Sequence, residues 1–220
     1  MSGLALAATA LTLQFGTQLA LDTPALAAAP GSLTVLSGAS GSGKSSLLYL
    51  LSGLARPTSG SVAWGDTNLS ALSETGRDRW RRRHAGFIFQ DFHLIDEMTP
   101  LDNVLLPAWF DRVSATPLHD RAQSLLEDLA VPLERRQTAL LSRGEQQRVA
   151  IARALLADPA IIFADEPTAS LDRVAGEQVI AVLARLAAEG RTIIAASHDP
   201  ELRAVATAEL VLDHGRMVTA

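Results

Sequence analysis

The chain has 220 residues, a length that suits one large domain or a core that carries an inserted subdomain. Hydrophobic residues make up 48% of it and charged residues 20%, a balance that excludes an intrinsically disordered chain. It contains no cysteine, which excludes disulfides, thiolate metal sites and cysteine nucleophiles. The net charge of −5 argues against nucleic acid as the main partner, so we expect none.

The amino-terminal segment is apolar and allows two interpretations. Residues 1–15 read MSGLALAATALTLQF and resemble the hydrophobic part of a signal peptide, but no Lys or Arg precedes Lys44, so the basic segment that begins a signal peptide is missing. Two β-strands ahead of residue 38 explain the segment better. No apolar run approaches the ~18 residues that a membrane-spanning helix needs. We therefore expect any membrane association to depend on another polypeptide.

Short apolar runs alternate with longer helical patterns, which predicts a largely parallel α/β sheet. The predicted buried strands are 33–37, 86–89, 160–164, 192–197 and 208–213. Helices are predicted at 46–54 and at 177–190, and Gly190 is the expected C-cap of the second. The apolar face of that second helix consists of Val179, Val182, Leu183 and Leu186.

Residues 91–140 lack a clear strand pattern and contain helical pieces such as 119–130. The expected helix breaks are Pro100, Pro107, Pro117 and Pro132. We expect a mostly helical subdomain here, inserted into the α/β core of a single domain that spans 1–220. Just ahead of it, the basic run 77–84 predicts either a solvated helix face or a phosphate-binding patch.

A glycine-rich loop between a predicted strand and a predicted helix carries the first chemical signal. Residues 38–45 read GASGSGKS, and the glycines leave backbone N–H groups free to surround a polyphosphate. The Lys44 side chain is then placed to reach the β- and γ-phosphates, and the Ser45 hydroxyl to bind Mg²⁺. The predicted nucleotide contacts of this P-loop are Gly38, Ala39, Ser40, Gly41, Ser42, Gly43, Lys44, Ser45 and Ser46.

Two acids end the predicted strand in residues 160–167, which read AIIFADEP. Asp165, at the carboxyl end of the strand, is expected to support Mg²⁺ beside Ser45. Glu166 is then free to orient or deprotonate an attacking water. The alternative is an ordinary acidic pair in a strand-to-turn junction, which the presence of the P-loop disfavours.

Residues 141–151, LSRGEQQRVAI, predict a second anion site. Ser142 and Glu145 have the spacing of a capping box, so a helix is expected to begin here. Gly144 lies in the first turn, where it leaves the backbone bare although glycine weakens a helix by roughly 1 kcal/mol relative to alanine. A helix start with free N–H groups attracts anions. The chain therefore contains two phosphate cradles about a hundred residues apart.

Further motifs follow in a recognisable order: Gln90 ends GFIFQ, LSRGEQQR occupies 141–148, SLD occupies 170–172, and His198 stands in ASHDP. With the P-loop and the acidic pair, they resemble the ATP-binding subunit of ABC transporters over essentially the whole chain. The resemblance implies an α/β fold, a P-loop NTPase (RecA-like) core with an N-terminal antiparallel β subdomain and an inserted helical subdomain. It also implies a Mg-dependent ATP hydrolase.

The resemblance accounts for the two cradles. In that family two nucleotide-binding domains dimerise head to tail, and the P-loop of one closes on ATP together with the signature residues of the other. It therefore implies a homodimer in which Ser142, Gly144 and Glu145 bind the nucleotide held by a second copy. We call residues 142–145 the signature segment.

The remaining roles are carried over from the family's motifs. Glu166 resembles the catalytic glutamate and Gln90 the glutamine that touches Mg²⁺ or the attacking water. His198 resembles the histidine that contacts the γ-phosphate, the alternative being an ordinary surface histidine. Asp172 resembles an aspartate at the dimer interface. Together with Lys44, the first three make up the expected catalytic set.

The chain departs from the family pattern at two positions. Arg143 replaces the first glycine of the usual LSGGQ, and we expect dimer closure to be retained with altered ATP affinity. The aromatic residue that stacks on adenine is normally a tyrosine upstream of the P-loop. Phe15 is the best candidate for it, although it could instead be a core residue of a strand.

The segment 91–110, DFHLIDEMTPLDNVLLPAWF, most resembles subunits of the lipoprotein-release and macrolide-export type. In ABC subunits this region forms the groove for a helix of an integral membrane permease. The implied location is the cytoplasmic face of the inner membrane, with attachment through the permease. Phe92, Leu94 and Ile95 could line that groove or belong to the core of the helical subdomain.

Two other functions fit parts of the pattern. Soluble ABC ATPases of DNA repair or translation usually carry long coiled-coil insertions or two fused cassettes, for which 220 residues leave no room. Division-associated ABC pairs act on cell-wall enzymes through a membrane partner. The intact Glu166 and His198 argue against a site without catalysis but do not identify the partner's task.

Overall fold

The structure, a computed structural model, describes residues 3–110, 115–134 and 137–218. Its strands are β1 Leu6–Phe15, β2 Gln18–Thr23, β3 Leu26–Ala28, β4 Leu33–Ser37, β5 Ser59–Trp64, β6 Thr67–Asn68, β7 Ala85–Ile88, β8 Ile161–Asp165, β9 Thr192–Ala196, β10 Ala208–Asp213 and β11 Arg216–Val218. Its α-helices are α1 Lys44–Leu51, α2 Glu74–His84, α3 Pro100–Leu105, α4 Ala115–Asp128, α5 Arg143–Leu155, α6 Arg173–Ala188 and α7 Pro200–Ala204. Residues 1–2 of the apolar amino-terminal segment lie outside the described residues, and so do residues 111–114 and 135–136 of the predicted helical subdomain.

The strands form one sheet in the order β6-β5-β1-β2-β11-β10-β4-β9-β8-β7, with β3 paired to β1. The strands from β10 to β7 are parallel to one another, whereas the amino-terminal strands β1, β2, β3, β5 and β6 pair antiparallel. All five predicted strands are present, which confirms the α/β prediction, but the prediction that 208–213 is buried was wrong, because only Leu212 of β10 is buried. Three strands rather than two precede β4, because the three-residue β3 is too short to show an apolar pattern.

The two faces of the sheet bury separate apolar clusters, as the two-residue period of a strand requires. Along β8, Ile162 and Ala164 pack with helices α3 to α6, whereas Ile161 and Phe163 face α1 and the amino-terminal strands. The neighbouring β9 alternates in the same way. Burial on both faces explains why these strands read as continuous apolar runs. It also fixes their register, so their carboxyl ends meet at one edge.

The predicted helices are present with shifted limits. Helix α1 begins at Lys44 rather than 46, and α6 begins at Arg173 rather than 177. Gly190 follows the end of α6 with a φ of 100°, the left-handed conformation expected of a glycine at that place. Pro117 was expected to break a helix but lies in the first turn of α4. A proline is tolerated there because the first N–H groups of a helix have no intrahelical acceptor.

Between β7 and β8 the described residues form helices and turns, and their division into a separate subdomain stays a prediction. The fully buried Asn103 holds this region together, since its amide donates to the Ile95 and Thr99 carbonyls and to the Thr138 hydroxyl. The basic run forms α2, which buries Arg77 and Trp80. In the described ranges we find no helix of the length and apolarity that a bilayer crossing demands.

Candidate functional site

The P-loop connects β4 to α1 and presents a bare backbone. Gly43 is the N-cap of α1, with a φ of 101° and no side-chain cap. Gly38 has a φ of 143°, and a Cβ there would stand 2.1 Å from the Leu212 carbonyl oxygen. Only glycine fits these two positions without rearrangement. The first N–H groups of α1 are therefore available to an anion, as the sequence predicted.

Lys44 lies over this loop with its side chain largely buried. Its Nζ donates to the carbonyl oxygens of Gly38 and Ala39, at 3.0 and 3.2 Å. The same ammonium is 3.6 Å from Glu166 Oε1. The one strong positive charge of the P-loop thus stands between the loop and the acidic pair, where the phosphates of a nucleotide would be.

The Asp165 carboxylate, at the end of β8, accepts two hydrogen bonds from α1. Ser45 Oγ donates to Oδ1 at 2.8 Å and the Tyr49 hydroxyl donates to Oδ2 at 3.0 Å. Burial first, and then the hydrogen bond to Asp165, raise the pKa of Tyr49 to about 12, so the hydroxyl keeps its proton at neutral pH. Hydroxyl and carboxylate oxygens are ligands that suit Mg²⁺. The residues present therefore fit the predicted metal.

The sequence did not predict a role for Tyr49. Its spacing contained the signal, because residues four apart on a helix lie on one face. Because Ser45 faces Asp165, Tyr49, which lies one turn later on the same face of α1, is close to the same carboxylate. The apolar run around it favoured a core interpretation instead.

Glu166 follows β8 in the left-handed conformation, with a φ of 45°. Its backbone N–H donates to the Ala196 carbonyl at the end of β9, which fixes the turn. Its Oε2 lies 3.0 Å from Nδ1 of His198, the residue that follows β9 by two positions. The predicted glutamate and histidine are therefore in contact. The His198 side chain is 73% exposed, so it is free to meet a ligand.

Gln90 lies two residues beyond the end of β7, the strand that pairs with β8. Parallel strands β4, β9, β8 and β7 thus deliver the P-loop, His198, Glu166 and Gln90 to the same edge of the sheet. Ligands of open parallel sheets bind at this carboxyl edge. Lys44, Glu166 and His198 are thus in contact through Glu166, and Gln90 lies at the same edge of the sheet, although the four residues span 44–198 in the chain.

The signature segment begins α5 as predicted. Ser142 Oγ accepts from the Glu145 N–H at 3.3 Å, and Glu145 Oε2 accepts from the Ser142 N–H at 2.7 Å. This reciprocal pair confirms the capping box. A Cβ on Gly144 would stand 2.8 Å from Cβ of Ala175, so the close approach of α6 explains the glycine in this first turn.

Asp172 and Phe15 lie on exposed parts of the molecule. Asp172 caps α6 by accepting from the Ala175 N–H at 2.9 Å, and with Ser142 and Gly144 it lines an open cleft of about 550 Å³. Phe15, at the end of β1, is 65% exposed, so the core interpretation of this residue is wrong. Its stacking on adenine stays a prediction.

Two contacts of α5 were not predicted. The Arg143 guanidinium lies over the Phe92 ring, 4.7 Å from its centre, although Arg143 as a whole is exposed. The fully buried Gln147 donates to the carbonyl of Pro167, just after the acidic pair. Both contacts join segments that are distant in sequence. No local pattern reports them.

Comparison with known sequences identifies the family. The profile of the ABC transporter family matches residues 21–169. The chain is 43% identical over 189 residues to the macrolide export ATP-binding/permease protein MacB 1/2 of Paracoccus denitrificans, covering 86% of this chain and 28% of that protein. It is 44% identical over 178 residues to the lipoprotein-releasing system ATP-binding protein LolD of Syntrophotalea carbinolica, covering 79% and 78% of the two chains.

The coverage of the relatives differs. The chain spans 28% of the length of that MacB protein. It spans 58% of an uncharacterized ABC transporter ATP-binding protein of Mycobacterium tuberculosis, to which it is 40% identical. These relatives therefore contain long parts that have no counterpart in this chain.

The fold comparison agrees with the sequence comparison. The chain superposes with a TM-score of 0.87 and 32% identity on the dimeric post-hydrolysis structure of the ATP-binding cassette MJ0796 bound to ADP and Pi, covering 97% of each chain. The dimeric structure of MJ0796 described as a bacterial ABC transporter cassette gives the same values. From the family profile, the relatives and the shared P-loop NTPase fold, we conclude that the chain belongs to the ABC transporter family, as an ATP-binding domain of its ATPases.

Proposed function

We propose that this chain is the Mg-dependent ATP-hydrolysing subunit of a transporter of the lipoprotein-release or macrolide-export type, and that it drives a membrane permease by ATP-dependent dimer closure. The observation that carries the hydrolytic part is the position of Glu166. Its carboxylate lies between Lys44 at 3.6 Å and His198 at 3.0 Å, one residue after the Asp165–Ser45 pair.

Each residue of this edge has a chemical task in the proposed reaction. The N–H groups of the P-loop and the Lys44 ammonium neutralise the phosphates of ATP. Ser45 and Asp165 would hold Mg²⁺, which would withdraw charge from the phosphates. Glu166 orients the attacking water and accepts its proton as the water oxygen bonds to the γ-phosphorus and the bond from that phosphorus to ADP breaks, which releases ADP and phosphate. Gln90 and His198 position the water and the γ-phosphate.

The second cradle supports a sandwich dimer. The exposed Ser142 begins α5 and, together with the buried Gly144 and with Asp172, lines an open cleft. A helix dipole contributes only ~0.3–1 kcal/mol at such an exposed end and more when water is excluded. A second copy that brings its own ATP to this surface excludes that water, so each bound ATP would stabilise the closed pair.

The permease would dock on a groove of about 730 Å³ between α2, β7 and the helical subdomain. Its apolar lining is Ala85, Gly86, Phe87, Phe89, Leu106, Pro107, Ala108, Leu118, Ala154, Leu156 and Ala157. Arg81, Arg82, Arg153 and His93 complete the wall. An apolar floor with basic residues suits an amphipathic helix of the permease that carries an acidic side chain. A permease docked on this groove would hold the subunit at the cytoplasmic face of the membrane, which is the location we propose.

The contacts of the segment after Gln90 separate the two roles left open for it. Phe92 is buried and Leu94 packs against the main core, so both belong to the core and not to the groove. Ile95 is 37% exposed and does not line the groove either. Among the described residues, the proposed groove is lined instead by Phe87, Phe89 and residues 106–108 of a 3₁₀-helix, together with the other lining residues named above.

The test uses Glu166→Gln, which keeps the size of the side chain and removes its ability to accept a proton. We expect hydrolysis to fall at least about a hundredfold, the contribution typical of a general base. We also expect ATP and Mg²⁺ to convert the variant from monomer to dimer in light scattering coupled to gel filtration. Glu177→Gln, on the exposed face of α6, is the control that should hydrolyse normally. A variant that stays monomeric at saturating ATP contradicts the proposal.

A further inference from the structure

Arg143 occupies the first position of α5, where the family pattern has glycine. Its guanidinium carbon lies 4.7 Å from the centre of the Phe92 ring, and that ring is 3% exposed. A cation within about 6 Å of an aromatic face is attracted to it. The dipole of α5 disfavours a positive charge at this helix end. The aromatic face therefore gives the guanidinium a favourable place that the helix start does not provide.

Phe92 belongs to a turn whose backbone is strained. Phe92 and His93 have φ angles of 59° and 50°, a region that residues with a side chain occupy at a cost. Arg153, in the last turn of α5, donates through its two terminal nitrogens to the carbonyl oxygens of His93 and Phe92. Helix α5 therefore holds this turn at two points, one from each end of the helix.

The turn lies between two regions that the proposed function uses. Gln90 precedes Phe92 by two residues, and Phe89 and His93 line the groove for the permease. Arg143, on the other side of the contact with Phe92, belongs to the signature segment. If the start of α5 moved, this one side-chain contact would therefore move the turn that contains Gln90 and borders the groove.

We propose that Arg143 is a positioning residue that, through the Phe92 ring, couples the signature segment to the Gln90–His93 turn. This inference rests on the proposed ATP sandwich. Binding of the partner's nucleotide at Ser142 orders the start of α5, and the Arg143–Phe92 contact transmits this order to the glutamine of the chain's own site. The two ATP sites of the dimer are thereby linked within each subunit.

Two other roles for Arg143 lead to different results. If the guanidinium acted by direct attraction to the triphosphate, its removal would have the same effect whether or not residue 92 is aromatic. If the position were neutral, its removal would have no effect in either case. Only the coupling role makes the effect of Arg143 depend on Phe92, so a double-mutant cycle separates the three.

The experiment measures the ATP concentration for half-maximal dimerisation in the Glu166→Gln background. The variants are Arg143→Met, Phe92→Leu and the double variant. Arg143→Lys keeps a cation above the ring, and Arg185→Met removes an equal charge from the exposed face of α6 as a control. Phe92→Met replaces Phe92→Leu if the latter lowers the melting temperature. ATP binding to the monomer is measured separately, at protein concentrations below dimerisation.

We expect Arg143→Met and Phe92→Leu each to raise the half-maximal ATP concentration about threefold to fivefold, the size of one cation–π contact. In the double variant this concentration should rise no more than in the more strongly affected single variant. Arg143→Lys should raise it less than Arg143→Met does. ATP binding to the monomer should not change in any of these variants, and Arg185→Met should dimerise at the unaltered ATP concentration. Additive effects, or no effect of Arg143→Met, would overturn the coupling while the dimer itself forms normally. Absence of any ATP-driven dimer before the Arg143 substitutions would overturn the proposed function, and the coupling with it.

Discussion

At the scale of single residues, the site depends on how the Asp165 carboxylate is held. Both of its oxygens accept hydrogen bonds from one face of α1, through Ser45 and Tyr49. Ser45 has a metal-binding role in the proposed reaction, whereas the Tyr49 hydroxyl bonds the carboxylate and its side chain packs against the apolar cluster around α1. Outer hydrogen bonds of this kind orient a ligand and raise its affinity for the metal. We therefore predict that Tyr49 is a positioning residue for the proposed metal site.

The variant Tyr49→Phe removes one hydroxyl and leaves an oxygen of Asp165 without its donor. We expect Mn²⁺, used in place of Mg²⁺, to bind about tenfold more weakly in the presence of ADP, as is typical when such an outer contact is lost. Electron paramagnetic resonance of free Mn²⁺ measures this without any turnover. Unchanged Mn²⁺ affinity would show that Ser45 alone orients the carboxylate.

At the scale of secondary-structure elements, the close approach of α5 and α6 decides which residue fits the signature segment. A Cβ at Gly144 would meet Cβ of Ala175 at 2.8 Å, whereas a Cβ at Gly176 on α6 meets nothing nearer than Thr168 Cβ at 4.0 Å. Both glycines are buried and helical. A substitution by alanine has the same effect on helix propensity at both positions, but it creates a steric clash only at Gly144. Comparing the two variants therefore separates helix propensity from packing.

Alanine at Gly176 should be neutral or should stabilise the protein, because alanine is favoured over glycine in a helix by up to about 1 kcal/mol. Alanine at Gly144 should lower the free energy of unfolding, since overpacking costs typically about 1–3 kcal/mol. It should also weaken ATP-driven dimerisation, because α5 must move away from α6. Urea denaturation of the two variants gives the comparison. If both substitutions raised the free energy of unfolding equally, α5 and α6 would be able to move apart at Gly144 without losing stability, and the packing argument would be wrong.

The same elements show what could be predicted from the sequence. The central strands were readable because β8 and β9 are buried on both faces, and the start of α5 because the Ser142–Glu145 capping box is a local signal. The P-loop was readable because consecutive residues supply its backbone donors. The contact of Arg143 with Phe92 was not, since it depends on how α5 packs against a turn fifty residues earlier. The extent of α4 was misjudged because Pro117 reads as a helix breaker wherever it stands.

At the scale of the whole molecule, the two cradles and the groove are arranged around α5. Its first turn carries the signature segment, its buried Gln147 contacts the turn after Glu166, and its last turn reaches the groove through Arg153. Helix α5 thus contacts the turn after Glu166 and the groove, and it carries the signature segment itself. Because of this arrangement, we expect a movement of α5 during ATP-driven closure to change the groove on which we propose that the permease docks.

In the proposed sandwich, one ATP is bound between the P-loop of one copy and the signature segment of another. The decisive measurement is a structure of the Glu166→Gln protein with ATP and Mg²⁺. We expect a head-to-tail dimer in which Lys44 of one copy and Ser142 of the other both lie within hydrogen-bond distance, about 3 Å, of the same γ-phosphate. ATP bound at the P-loop while residues 142–145 of every copy face solvent would show that no such sandwich forms.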